Sequence, residues 1–289
     1  MTELIQYLVS GLVVGCIYGL VAIGFTAVYN ATHIVNFAQG ETSMLAALAA
    51  ASLIALGTPL VVALVLAVGF VALVNVAIEK VAIRPIGNDV TRGIIITIGV
   101  GIVAQGVAAL VWGTDAQPLP AFSGSGSMNL RGVAVPRQAL WVFGTTAVLM
   151  AGLYLFLTRT YLGKAFRACA MNRDAAGLMG IPTRSMRGIG FLLSGFVGGV
   201  AGVIIAPIAL MQYDSGTPLG IKGFVACIIG GFGNPLGAAV GGLLLGVLEA
   251  LCAGYLSSGM KDAIAYVLLL VFLLARPGGL LGEFGGARA

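Results

Sequence analysis

The sequence predicts an all-α protein, a polytopic transmembrane helical bundle of about eight to nine membrane segments, some of them broken or short. Three observations lead there. Of 289 residues, 59% are hydrophobic. Only 9% are charged, against roughly 25% in an ordinary soluble domain. The apolar residues gather in runs near the ~20 residues that a helix needs to cross a bilayer. A soluble domain has too little interior for so much apolar surface. A soluble enzyme, a disordered chain and a nucleic-acid binder are therefore excluded.

The long runs are 4–29, 34–57, 59–78, 93–112, 138–157, 188–211 and 236–254; two shorter ones lie at 223–232 and 263–275. Run 4–29 is not a signal peptide: Glu3 precedes it, no Lys or Arg does, and it is too long. Run 223–232 reads as a half-helix entering a cavity, and 263–275 spans if it starts near Met260. Orientation comes from charge. Lys80, Arg84 and Arg92 lie in 79–92; Arg159, Lys164, Arg167, Arg173, Arg184 and Arg187 in 158–187; Arg276 and Arg288 in the tail. These are 11 of the 15 basic residues, so all three segments are placed in the cytoplasm. Three crossings before residue 79 then put the N-terminus outside, and two more put loop 113–137 outside. That loop, with TDAQPLPAFSGSGS, reads as polar turns and a short hairpin. If every run crosses, the count is nine and the tail returns inside.

Glycine supplies 44 residues, about twice ordinary usage. Pairs spaced small-x-x-x-small, at Gly11/Gly15, Gly195/Gly199, Gly198/Gly202, Gly237/Gly241 and Gly242/Gly246, let helices pack closely. Gly230–Pro235 (GGFGNP) reads as a tight turn. Cys16, Cys169, Cys227 and Cys252 form no close pair and read as buried, unpaired thiols. His33 is the one histidine and reads as a bonded interface residue; no metal-ligand cluster is expected.

Two polar breaks interrupt apolar runs at corresponding places in the two halves: NATHIVNFAQGE and QYDSGTPLGIKG. Paired interruptions are a pointer to a transport site near the midplane. If a helix begins near Asn36, its free N–H groups face an anion such as an amino-acid carboxylate. Glu41 then caps its own helix or meets a passing ammonium, and a buried carboxylate there needs a partner or water. The alternative is structural: Asn36 caps, and Gln39 and Glu41 bond neighbouring helices. Glu249 has no basic neighbour in sequence; it is either a functional mid-span carboxylate or an interface group near the membrane edge. Asn75 and Gln105 read as interhelical hydrogen-bonders.

Segment 158–187 is too long for a minimal turn. Residues 164–179 have helix-forming composition, with Ala165, Ala168, Cys169, Ala176 and Met179 near one face and Lys164, Arg167 and Asp174 around it; Ile181-Pro182 ends it. An amphipathic helix between spans suits docking in a partner's groove. It suits lipid headgroups as well.

The stretch GKAFRACAMNRDAAGLMGI resembles the cytoplasmic coupling segment of the membrane permeases of branched-chain amino acid ABC importers. VYNATHIVNFAQGETSMLAA, IEKVAIRPI, GIKGFVACIIGGFGNPLGAAVGGLLLGVLEAL and YLSSGMKDAIAYVLLLVFLLARPGGLLG resemble further segments of that family, in order, from about residue 5 to 282. Loop 113–137 matches least. The resemblance implies one ABC-importer transmembrane domain over 1–289 in the bacterial inner membrane. It also implies two permease chains, the second a different chain, two cytoplasmic ATPases and an external solute-binding protein, with membrane lipid around them and no nucleic acid. The solute would be a branched-chain amino acid or a related small amino acid or amide. No G-x-x-x-x-G-K-[ST] occurs, so ATP and Mg belong to the partner ATPases and this chain binds no cofactor. Coupling is expected from Lys164, Arg167, Ala168, Asn172, Asp174, Ala175, Ala176 and Gly180, and the path from Asn36, Gln39, Glu41 and Glu249. The competing class is a self-sufficient secondary transporter or channel for a small polar solute, using Glu41 or Glu249. An intramembrane enzyme lacks a convergent catalytic set: there is no H-E-x-x-H and no evident Ser–Lys or paired-Asp motif.

Overall fold

The computed structural model describes residues 2–281 except 88, 125, 131, 132, 256 and 277. Arg288 of the tail lies outside the described residues. Eleven α-helices follow one another among the described residues: α1 Thr2–Thr32, α2 Gln39–Ala55, α3 Leu60–Ile78, α4 Val90–Trp112, α5 Arg137–Arg159, α6 Tyr161–Met171, α7 Arg173–Leu178, α8 Thr183–Ile205, α9 Gly216–Gly230, α10 Pro235–Tyr255 and α11 Lys261–Ala275. Six are long and apolar enough to cross a membrane. The shorter α2, α9 and α11 bring the membrane segments to nine, at the upper end of the expectation. The expected hairpin is present, β1 (Ser127–Leu130) pairing antiparallel with β2 (Val133–Pro136).

The bundle has two distinguishable ends. At one, the Arg187 guanidinium donates to Ile83 O and Gly87 O, each at 3.3 Å. Ala31 packs there with Phe166, Cys169, Ala176 and Met186. Asn30 donates to Gly233 O, and Asn234 to Leu281 O. Loop 79–92, segment 158–187 and the described start of the tail therefore share this basic end. At the opposite end Gln117 bridges to Met211, and Gln138 donates to Ile204 O.

These markers fix the direction of each helix. α1, of 31 residues and about 46 Å at 1.5 Å per residue, runs from the opposite end to the basic end. The chain then turns back into the bundle, and α2 begins halfway up, where Gln39 meets Gly24 of α1 and Gly198 of α8. It runs on to the opposite end. α8 leaves the basic end, 206–215 turn back inward, and α9 begins beside Gly40 and runs to the basic end. α1 packs along α10 as α8 packs along α3, and α2 lies against α8 as α9 lies against α1. Helices α1–α4 and α8–α11 thus form one arrangement twice, in opposite directions.

Glycine makes the closest crossing. Gly11 and Gly15 face Gly246 and Gly242 across α1 and α10, backbone on backbone. A Cβ at Gly246 would collide with the Gly15 backbone, whereas one at Gly99 of α4 meets nothing within 4 Å. Gly246→Ala should cost about 1–3 kcal/mol, while Gly99→Ala should be neutral or stabilising because alanine favours helix. Thermal unfolding of the two purified variants in detergent checks this; equal stability would refute the packing argument.

Turn chemistry is local and legible. Gly231 (φ 101°) and Gly233 (φ 91°) make the GGFGNP turn, and Asn234 Oδ1 caps α10 by accepting from Leu236 N and Gly237 N. Two expectations are corrected. Residues 164–179 are not one helix: Asn172 is extended (φ −156°) and its Oδ1 accepts from Ala175 N, closing α6 and opening α7. His33 is exposed and left-handed (φ 56°), ending α1 with its ring edge-on to Tyr29; among the described residues it bonds no other helix. All four cysteines are buried and free, as expected. Burial pushes the Cys169 thiol up, which Arg173 only partly offsets.

Candidate functional site

Three regions carry the polar chemistry. The first is the junction where α2 and α9 begin, level with Gly101, the middle residue of α4. Two helix N-termini therefore meet near mid-bilayer, and both offer partial positive charge. The anion that fills this place is the chain's own. Glu41, 4% exposed, sits in the first turn of α2. Its Oε1 accepts from Thr217 Oγ1 at 2.7 Å and from Gln105 Nε2 at 3.0 Å, tying α2 to α9 and α4. A Cβ at Gly216 would strike Oε2. Glu41 thus bonds across helices rather than capping its own.

Gln39 is fully buried; its Nε2 donates to Ser194 O and its Oε1 accepts from Ser194 Oγ. Asn36, also fully buried, accepts from Ala38 N within the break. Asn75 donates to Thr42 Oγ1, so Asn75 and Gln105 do join helices.

The second region is an ionic cluster. Lys222 of α9 lies 2.6 Å from Glu249 Oε1 on α10 and 2.7 Å from Asp262 Oδ1 on α11, with its Nζ 5.5 Å from the Tyr18 ring centroid. Glu249 therefore has a basic partner, 27 residues away in sequence. The sequence signal was there: Lys222 is a lone cation at the edge of the apolar run 223–232, and such a charge needs a counterion.

The third region is α6–α7 at the basic end. Gly163 lies against the Phe156 carbonyl, where a Cβ would collide, and Thr160 caps α6 by accepting from Gly163 N. Phe166, Cys169 and Ala176 face inward. Lys164 and Arg167 are exposed, as are Asp174 and Ala175 on α7; Ala168 is half-buried. Asn172 commits its side-chain carbonyl to the cap, and Gly180 (φ 83°) ends the segment. Met179, placed on the inner face by periodicity, is 83% exposed, and Met171 and Leu178 are exposed at 88% and 90%. The Asn172 break separates α7 from α6, and beyond it Leu178 and Met179 turn outward. Beside them a cavity of about 700 Å³ is lined by Arg84, Arg173, Arg184 and Arg187 with Glu79 and Asp174.

The sequence matches that span the chain agree on one family. Residues 7–273 match the family described as branched-chain amino acid transport system / permease component. The high-affinity branched-chain amino acid transport system permease protein BraD of Pseudomonas aeruginosa is 36% identical over 96% of each chain. The corresponding LivH of Escherichia coli K12 is 34% identical, again over 96% of each. A probable LivH of Methanocaldococcus jannaschii is 28% identical over 91% of this chain and 88% of its own. Among solved structures, PsaBC from Streptococcus pneumoniae in complex with Fab matches with TM-score 0.52 at 16% identity, over 96% of this chain and 93% of that one; that likeness is one of fold.

Proposed function

The chain belongs to the permease-component family of branched-chain amino acid transport systems, and from that premise we propose that it forms, with a second and different permease, the path of an ATP-driven importer. The solute is a branched-chain amino acid or a related small amino acid or amide. The multi-pass chain sits in the bacterial inner membrane, its basic end in the cytoplasm and loop 113–137 outside. Two cytoplasmic ATPases supply ATP hydrolysis with Mg, and an external binding protein delivers the solute.

The observation that carries this reading is α6–α7, a platform at the basic end that presents Met171, Leu178 and Met179 to the surroundings. Apolar side chains flanked by Lys164, Arg167 and Asp174 suit a groove on a partner. Lys164, Arg167, Asp174 and Ala175 meet the ATPase directly in this reading; Ala168 and Ala176 seat α6 and α7 on the bundle, and Asn172 and Gly180 set their angle. Asn36, Gln39, Glu41 and Glu249 stand along the path at mid-bilayer. Thr217 is exposed beside the half-buried Gln105 at the same depth. Polar side chains are costly against lipid, which supports a second permease or water on that face.

The test is Arg167→Glu in the assembled importer reconstituted in liposomes. Solute uptake should fall at least tenfold while ATP hydrolysis continues. Normal uptake at full expression would remove Arg167 from the coupling role.

A further inference from the structure

The cavity of about 700 Å³ at the basic end lies within the ~300–1,000 Å³ range of small-ligand sites, and it joins three elements. Arg84 comes from the turn that follows α3, Arg173 from α7, and Thr183, Arg184 and Arg187 from α8. Its four arginines face two carboxylates, Glu79 and Asp174, which leaves a surplus of two positive charges. Glu79 lies on the buried side with Arg187. The surplus therefore falls toward the opening, where Arg84 keeps 45% of its side chain exposed and Arg184 is exposed. Arg84, Arg173 and Arg184 all repel Arg187. Thr183 opens α8, and Pro182 before it makes no side-chain cap. The free N–H groups and positive end of that helix add to the same field.

The cavity also has a defined depth. Arg84 stands near the end of the apolar span Leu60–Ile86, and Arg184 at the start of the span Thr183–Ile205. Both are at the level of lipid headgroups. Leading to Arg84, the residues Leu73, Ala77 and Val81 recur every four positions along α3 and its π-helical continuation, and all three are exposed.

We propose that this cavity holds the phosphate of an anionic phospholipid, with an acyl chain lying along Leu73, Ala77 and Val81. Basic pockets between spans on the cytoplasmic side suit such headgroups. The guanidinium fork matches phosphate oxygens two at a time, so Arg84 and Arg184 are the direct ligands, and Arg173 brings α7 to the same phosphate. Arg187 is a positioning residue: it is bonded to Ile83 O and Gly87 O and holds the turn that carries Arg84. A zwitterionic lipid fits poorly, because its own ammonium meets the arginines. The bound lipid ties the α6–α7 platform to the ends of α3 and α8.

Native mass spectrometry of the complete importer in detergent tests this, with phosphatidylglycerol and phosphatidylcholine of identical acyl chains added in turn. Phosphatidylglycerol should bind the more tightly. Arg84→Gln/Arg184→Gln should weaken its binding by about tenfold or more. Arg92→Gln/Arg159→Gln removes two exposed charges from the same end but outside the cavity, and should leave binding nearly unchanged. Glycerophosphoglycerol, the same headgroup without acyl chains, should not displace the lipid at equal concentration. Equal binding of the two lipids, or an equal loss in the two double variants, would show that the cavity holds no lipid phosphate. Displacement by glycerophosphoglycerol would make it a site for soluble phosphates and overturn the lipid assignment. The comparison of the two lipids needs no substitution, so a misfolded variant does not decide the outcome.

Discussion

Exchange of Met171, Leu178 and Met179 together for aspartate is expected to strip the ATPase subunits from the permease. The three side chains are 83–90% exposed, so the free chain loses little when they change. On docking, each would leave water, and full burial of such a side chain is worth about 1.5–3 kcal/mol. Losing even half of that at three positions weakens association by about 40-fold or more, at 1.4 kcal/mol per decade. Co-purification of the ATPase with the tagged permease from native membranes reads this directly. Permease abundance should match the wild type; ATPase retained at the wild-type ratio would show that docking lies elsewhere.

Arg187→Leu is expected to be the most destabilising single change at the basic end. Glu79 is fully buried in the π-helical turn Glu79–Ile83 that continues α3. Arg187, itself 4% exposed, brings its Nε to 3.8 Å from Glu79, while Arg84 approaches to 3.5 Å from the solvent side. Removing one partner of a buried pair costs up to about 3–5 kcal/mol, and here only the exposed Arg84 would remain beside the buried Glu79. Here Ile83 O and Gly87 O also lose their donor. The double change Arg187→Leu/Glu79→Gln should recover much of the loss by removing the stranded charge. Thermal unfolding in detergent separates the cases; a double variant no more stable than the single one would contradict the argument.

What the sequence revealed depended on whether the cause was local. The Gly230–Pro235 turn, the hairpin in 113–137 and the small-residue pairs were legible because backbone conformation and side-chain size act within a few residues. The broken helices were legible because irregular backbone cannot lie against lipid, so a polar break between apolar runs must turn into protein or a cavity. The Asn172 break was equally local, yet helix-forming composition over 164–179 masked it; the cap signal was the asparagine three residues before Ala175. Partnerships across the fold were not legible. Lys222, Glu249 and Asp262 belong to three helices, and only their packing brings the charges together. Arg187 was counted among the orienting charges of a loop, but it is an interior residue whose partner Glu79 belongs to another loop. Glu41 was recognised as costly in lipid, while the donors that satisfy it, Gln105 and Thr217, come from distant elements.

The doubled arrangement of helices has a consequence for α5. Helices α1–α4 begin and finish at the same end of the bundle, and α8–α11 begin and finish at the other. A unit that starts and stops on one face, repeated head to tail, would give two copies pointing the same way. The inversion therefore comes from outside the repeat, and α5 supplies it as the single unmatched span. Its described buried residues are Gln138, Ala139 and Val142, all near its start, while Phe143, Leu149, Met150 and Leu153 further along pack half-buried against the core. What α5 contributes is parity: an odd crossing that turns the second half upside down.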